Sequence, residues 1–250
     1  SSSVTGVQTC ALPICPYTGY LNPFIDYSDS LNLQYGNPYL VPEITHRYEI
    51  GYTGNFGKLV PGLAVFYSRN PNGIEQIRFP AGNGIVHSTY RNIGKRNAIG
   101  VAGNVSWRNE KISAGTNFTF RYIELKSAAL QLSNHGFHFN GSVNFSYKFP
   151  DNYSFETTAS FNSKDIRLQG WREGWKYISL ALNKKLNKDK LTISLRSETF
   201  NHYITEDIIT PVFFQRTVTR YQNLFVLLGL SWKFGVKEIK MPATQQSAQD

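Results

Sequence analysis

Five histidines, His46, His87, His135, His138 and His202, are the side chains best suited to metal or general-base chemistry in this chain. His135 and His138 have a spacing compatible with metal ligands, but on an extended backbone residues three apart point to opposite faces. Without a cysteine or a carboxylate pair nearby, they do not assemble a zinc set, and no metal or other cofactor is expected. The sequence contains no Gly-x-Ser-x-Gly, no His-Glu-x-x-His and no Gly-x-x-x-x-Gly-Lys. A nucleophile elbow, a zinc-protease helix and a phosphate-cradling loop are therefore all missing, and no enzymatic activity is expected. The remaining chemistry is ionic: Arg121 with Glu156, and Arg196 with Glu198, occupy positions from which they can face one another, and together with Lys148 they read as the lining of a wet interior.

The elements that would position those charges are strands. In 137–149 the odd positions hold Phe137, Phe139, Val143, Phe145, Tyr147 and Phe149, and the even ones His138, Asn140, Ser142, Asn144, Ser146 and Lys148. Strand side chains alternate faces, so one face seeks hydrocarbon and the other water. After the turn Pro150-Asp151-Asn152 the alternation resumes through Tyr153, Phe155, Ala159 and Phe161. Such arms exceed the soluble norm of about 5 to 6 residues and suit the roughly 9 to 11 tilted residues that cross a bilayer. Similar strands are predicted at 48–52, 63–67, 97–107, 112–122, 175–183, 191–200 and 223–234, with a projecting hairpin made by 74–79 and 85–90.

Composition agrees. The 250 residues include 17 Phe and 15 Tyr, and no run is long and apolar enough for a transmembrane helix. A net charge of +9 raises the possibility of nucleic acid, but Lys and Arg are scattered among turns and loop ends, not gathered in a stripe, so no nucleic-acid partner is expected. Both cysteines, Cys10 and Cys15, lie in 1–15, where Val4 to Ile14 resembles the translation of a sequencing adapter. That segment is expected to contribute no strand and to lie outside the fold.

Connections alternate in length. Short ones fall near 55–61, 108–111, 150–152 and 186–190, and long ones lie between them. Outer-membrane barrels pair short periplasmic turns with long extracellular loops, whereas a soluble sandwich has no cause to sort them. Trp107, Tyr147, Phe149, Tyr153 and Trp232 adjoin short turns, and Tyr122, Phe137, Phe161 and Trp175 adjoin long loops, as two interfacial girdles would require. The fold expected is all-β: an antiparallel transmembrane β-barrel over 16–235, comprising a C-terminal portion of about nine or ten strands, followed by a polar tail at 236–250. An odd count leaves an open edge, so the N-terminal strands and any plug are expected to lie upstream.

The run from Leu21 to Glu43 contains Asn37-Pro-Tyr-Leu-Val-Pro-Glu43, followed by Glu49-Ile-Gly51 and, later, Tyr90-Arg-Asn-Ile-Gly94. These segments resemble the Asn-Pro-x-Leu-x-Pro-Glu, Glu-x-Gly and Tyr-x-Asn-x-Gly elements of TonB-dependent outer-membrane receptors, most closely the Bacteroidetes-type barrel family. The resemblance implies a Gram-negative outer-membrane receptor that takes up a ligand such as an iron chelate, vitamin or glycan. It further implies a plug moved by a TonB-type energising complex, and a last strand ending on an aromatic, here Trp232-Lys-Phe234, read by the barrel assembly machinery. Outer-membrane lipid and lipopolysaccharide would surround the wall. Ligand contacts are expected on the long loops, with Tyr27, Tyr35, Arg167, Trp171 and Arg172 as candidates, and Arg121, Lys148, Glu156, Arg196 and Glu198 are expected to line the lumen. The alternative is a barrel acting as a passive pore or an adhesive surface protein.

Overall fold

In the computed structural model, residues 2–187, 190–201 and 203–234 are described. His202, part of the turn after 186 and the tail at 236–250 lie outside the described residues.

Strands form wherever the alternation runs. They are β1 (Ser2–Ile14), β2 (Asn32–Gln34), β3 (Glu43–Asn55), β4 (Leu59–Gly82), β5 (Ile85–Arg108), β6 (Ile112–Ser127), β7 (Leu132–Lys148) and β8 (Tyr153–Asn162). These are followed by β9 (Asp165–Arg167), β10 (Gly170–Arg172), β11 (Lys176–Leu186), β12 (Leu191–Phe200), β13 (Tyr203–Ile209), β14 (Phe214–Arg220) and β15 (Leu224–Trp232). The wall is one sheet in the order β1-β3-β4-β5-β6-β7-β8-β11-β12-β15, antiparallel throughout, with β2 joining β5 in parallel. Among the described residues the sheet is open, with β1 at one edge and β15 at the other.

The register carries the two faces across the wall. One row runs Ile50, Val65, Val101, Phe120, Phe139, and another Tyr147, Phe155, Leu182, Leu195, Leu228. Most of these side chains are solvent-exposed in the isolated chain, Leu228 at 80%. A broad apolar band facing outward is what hydrocarbon covers in a membrane wall. The opposite face carries rows such as Ser146, Glu156, Ala181, Arg196 and Asn144, Thr158, Ser179, Glu198. Aromatic contacts cluster outward near both ends: Tyr147 with Phe149 and Trp232 with Phe234 beside the short turns, Phe120 and Tyr122 with Phe137 beside the long connections.

Four expectations need correction. The segment 1–15 does contribute a strand: β1 pairs with β3 from Ser2↔Asn55 to Ile14↔Glu43. The physical reason is that an edge strand presents a row of unpaired N–H and C=O groups, which an extended segment completes through its main chain whatever its side-chain pattern. The loop expected at 124–135 shrinks to a turn, because β6 runs on to Ser127 and β7 restarts at Leu132. The projecting hairpin is continuous with the wall, since β4 and β5 each extend 24 residues and absorb their irregularity in β-bulges near Asn70, Gly73 and Pro80. The two remaining long loops also fold, pairing β14-β13-β10-β9 into a second, four-stranded sheet.

That small sheet caps the inner face. Leu168 (3% exposed) sits on the inward-facing Ala98, Ile123 and Leu125, the last two essentially inaccessible to solvent at 1% and 0%. The inner face at this end is thus packed, not wet, which is why Ile123 and Leu125 depart from the polar pattern of their parity. Gln169 knits cap to hairpin: its side-chain oxygen accepts from Arg78 N at 2.7 Å and its amide donates to Arg78 O at 3.0 Å, as a neighbouring strand would. A glycine is required at 170, where φ is 133° and a Cβ would run into the carbonyl oxygen of Asp207 on β13.

Candidate functional site

The motif residues come together first. Asn37 donates through Nδ2 to Tyr90 O at 3.0 Å, and Asn92 holds Val41 by both its N–H (3.0 Å) and its C=O (2.9 Å). Glu43 accepts from Asn70 Nδ2 at 2.6 Å and from Ile74 N at 2.5 Å, supplying an acceptor to a main-chain donor displaced by the bulge. The Asn-Pro-x-Leu-x-Pro-Glu segment therefore docks onto the Tyr-x-Asn-x-Gly segment, and Tyr20 stacks on Tyr90 at 4.1 Å. These side chains act as a clasp at the root of the projecting hairpin and do not present themselves to a ligand.

The segment 22–39, the hairpin of β4 and β5, and the two connections that carry β9–β10 and β13–β14 meet at the same end of the wall. Gln215 donates to Asn32 Oδ1 at 2.6 Å, Tyr35 N to Ser88 O at 3.1 Å, and Arg78 pairs with Glu206 at 3.1 Å. Glu206 also receives Arg167, which reaches Asp165 at 3.4 Å as well. Across the β13–β14 ladder Arg216 holds its register partner Asp207 by two bonds of 2.7 Å, keeping its carboxyl below the ordinary range.

Beneath the cap lies a cavity of about 630 Å³ on the inner face, lined by Arg121, His138, Asp165, Arg167, Arg172 and Trp175 among others. Arg121 and His138 are register partners on β6 and β7, so the ladder itself sets their side chains beside each other. A second cavity of about 790 Å³ shares Trp175 and Ile204 with the first and adds Tyr177, Glu198, Phe200 and Tyr221.

The expected loop residues divide. Arg172 and Arg167 line the basic cavity, Arg167 with its charge already engaged. The Trp171 ring is covered by Lys164 Nζ at 4.0 Å, Tyr35 packs edge-on against His87, and Tyr27 is exposed. Of the expected lumen residues, Arg121 lines the basic cavity and Glu198 the aromatic one. Arg196 pairs with Glu198 at 3.6 Å, as expected. Glu156 meets Asn183 at 3.3 Å and lies in a row with Arg196, so it does not pair with Arg121. Lys148 stands at the opposite, short-turn end, where its N bonds Lys111 O. His135 tilts against Tyr122 on the outer face while His138 is buried on the inner one, the opposition that their spacing dictates.

Trp175 requires correction: expected in an outer girdle, it lines both inner cavities, because it shares the inward parity of Tyr177, Ser179 and Ala181 in the run that leads into β11. Tyr177, Phe200 and Tyr221 were not anticipated as a site. Their signal was present, since Tyr177 and Phe200 are aromatics at inward positions beside long connections, which an outward girdle cannot explain.

The model of the outer membrane protein beta-barrel family matches residues 14–232. The chain belongs to this family. It is an outer-membrane barrel protein, and the outward apolar rows are the surface that meets lipid. No curated protein matches the chain at a significant level.

Proposed function

We propose that this outer-membrane barrel chain is part of a receptor-type transporter that carries a ligand inward, with a plug displaced by a TonB-type complex. The observation that supports this reading is the cap: β9, β10, β13 and β14 fold over the inner face, with Leu168 seated on Ala98, Ile123 and Leu125. A passive pore works best with an unobstructed lumen, whereas a receptor needs an ordered surface at the outer mouth. The motifs shared with TonB-dependent receptors point the same way, since they form the clasp that orders this mouth. Catalysis has no part in the proposal. Partners in this reading are lipid and lipopolysaccharide around the wall, the TonB-type complex, and the assembly machinery that reads the last strand.

Planar-bilayer recording of the intact protein tests it, together with capture by the periplasmic domain of a TonB-type protein. The expected outcome is a membrane-inserted protein without steady conductance that is retained by that domain. Steady ohmic steps without retention would establish the passive pore instead.

A further inference from the structure

We propose that the paired cavities under the cap bind an anion carried on a ring, a carboxylate or phosphate borne by an aryl or sugar ring. The proposal deepens the receptor reading and rests on it for its biological role, though not for its test. Four observations converge. His138 is only 4% exposed, yet its Nδ1 has no hydrogen-bond partner, and Arg121 Nε beside it is likewise buried without one. Buried polar nitrogens are ordinarily satisfied, so two adjacent orphans at one cavity wall mark an unfilled polar site: the Arg121 Nε–H calls for an acceptor, and His138 Nδ1 adds a second donor to it when its proton sits there. Arg172 lines the same cavity, and neither it nor Arg121 enters an ion pair among the described residues. The acids at that cavity are already engaged, Asp165 with Arg167 and Glu173 with the main-chain N–H of Thr205 at 3.1 Å.

The fourth observation is the neighbouring wall. Trp175, Phe200 and Tyr221 stand exposed on an inner face that is otherwise polar or packed, and Trp175 borders both cavities. Aromatic faces offer a ring a broad apolar contact, while a few placed charges fix its orientation. One ligand spanning the shared Trp175 would seat its anion on Arg121, His138 and Arg172 and its ring on Tyr177 and Phe200. Glu198, also in the aromatic half, is placed to accept from a ring hydroxyl.

Calorimetry and tryptophan fluorescence on the intact protein in detergent test this with digalacturonate and 2-naphthoate, the neutral counterparts galactobiose and 2-naphthamide, and inorganic phosphate. The expected result is saturable binding of a ring acid, with its neutral counterpart weaker by about tenfold or more, as loss of a charge-assisted contact requires. Binding of the first acid identifies a sugar acid, and binding of the second an aryl acid. Arg121→Gln with Arg172→Gln should weaken binding by at least about tenfold, and Trp175→Leu by a similar factor, while Lys148→Gln at the far end leaves it unchanged. Failure of both acids to bind, equal binding of the neutral counterparts, phosphate binding as tightly as the ring acids, or undiminished binding by the arginine variant would each overturn the proposal. The comparison of acid with neutral counterpart uses the unaltered protein, so a misfolded variant does not remove the test. None of these measurements involves conductance or a TonB-type partner, so failure here is distinct from failure of the transport reading.

Discussion

Val143 and Asn144 are neighbours in sequence and separated by the full thickness of the wall. Val143 is 53% exposed on the outward row, whereas Asn144 faces inward opposite Thr158. Arginine at 143 should cost about 2 to 4 kcal/mol in lipid refolding titrations, and arginine at 144 little, since only the first places charge in hydrocarbon. Equal costs would show the faces to be misassigned. Gly170 provides a second test of a single position. Alanine there must tolerate a positive φ and a carbonyl oxygen in its path, so Gly170→Ala should loosen β10 from β13 by more than the roughly 1 kcal/mol of an ordinary glycine substitution. Amide exchange should rise in β9 and β10 and stay unchanged in β7 and β8, because the wall does not depend on the cap for its ladder.

The cap and the hairpin carry two acids of opposite tendency. Asp207 on β13 is held below its ordinary value of 3.8 by its bonds to Arg216, so its contribution is present above that value and lost as pH falls through the folded pKa. Glu75 on β4 is raised above its ordinary 4.5, chiefly by burial and against the pull of Arg96, so its contribution is present below that value and lost as pH rises through the folded pKa. Acidification should therefore release β13–β14 amides while firming the hairpin around Glu75, as exchange measured at a series of pH values would register. Asp207→Asn should remove the first trend and keep the second. The same packing makes deletion of 165–173 a test of folding rather than of recognition: that stretch contains Leu168 and Gln169, which anchor the cap to wall and hairpin, so its removal should unravel β13 and β14 as well as alter the mouth. Point changes at Arg172 and Trp175 separate recognition from folding more cleanly.

For the chain as an assembly, the open sheet sets the terms. A free strand edge in hydrocarbon leaves main-chain groups unsatisfied at several kcal/mol each, so the outer edges of β1 and β15 need partners in a membrane. Phe234→Asp, beyond a last strand whose outward row runs Leu224, Val226, Leu228, Leu230 and Trp232, should lower outer-membrane levels of the intact protein, measured by fractionation and heat-modifiable migration. Unchanged levels would remove this terminus from assembly. The sequence alone settled which residues share a face, because alternation is a local property of an extended backbone: 137–149 declared its two sides without reference to any other strand. It also placed most of the long connections, since turn length is written in the number of residues between alternating runs, although 124–135 is a short turn because β6 and β7 run on into it. It did not settle what covers the inner face, because β9, β10, β13 and β14 are short and irregular and gain stability only from partners far along the chain, as with Arg78 and Glu206, 128 positions apart. For the same reason Ile123 and Leu125 looked like exceptions to the pattern until Leu168 was seen to lie on them. The charge of Arg121 and the aromaticity of Trp175 were legible as residue types. Their meeting at one cavity was decided by a ladder register and a folded loop, which depend on long-range packing that periodicity does not encode.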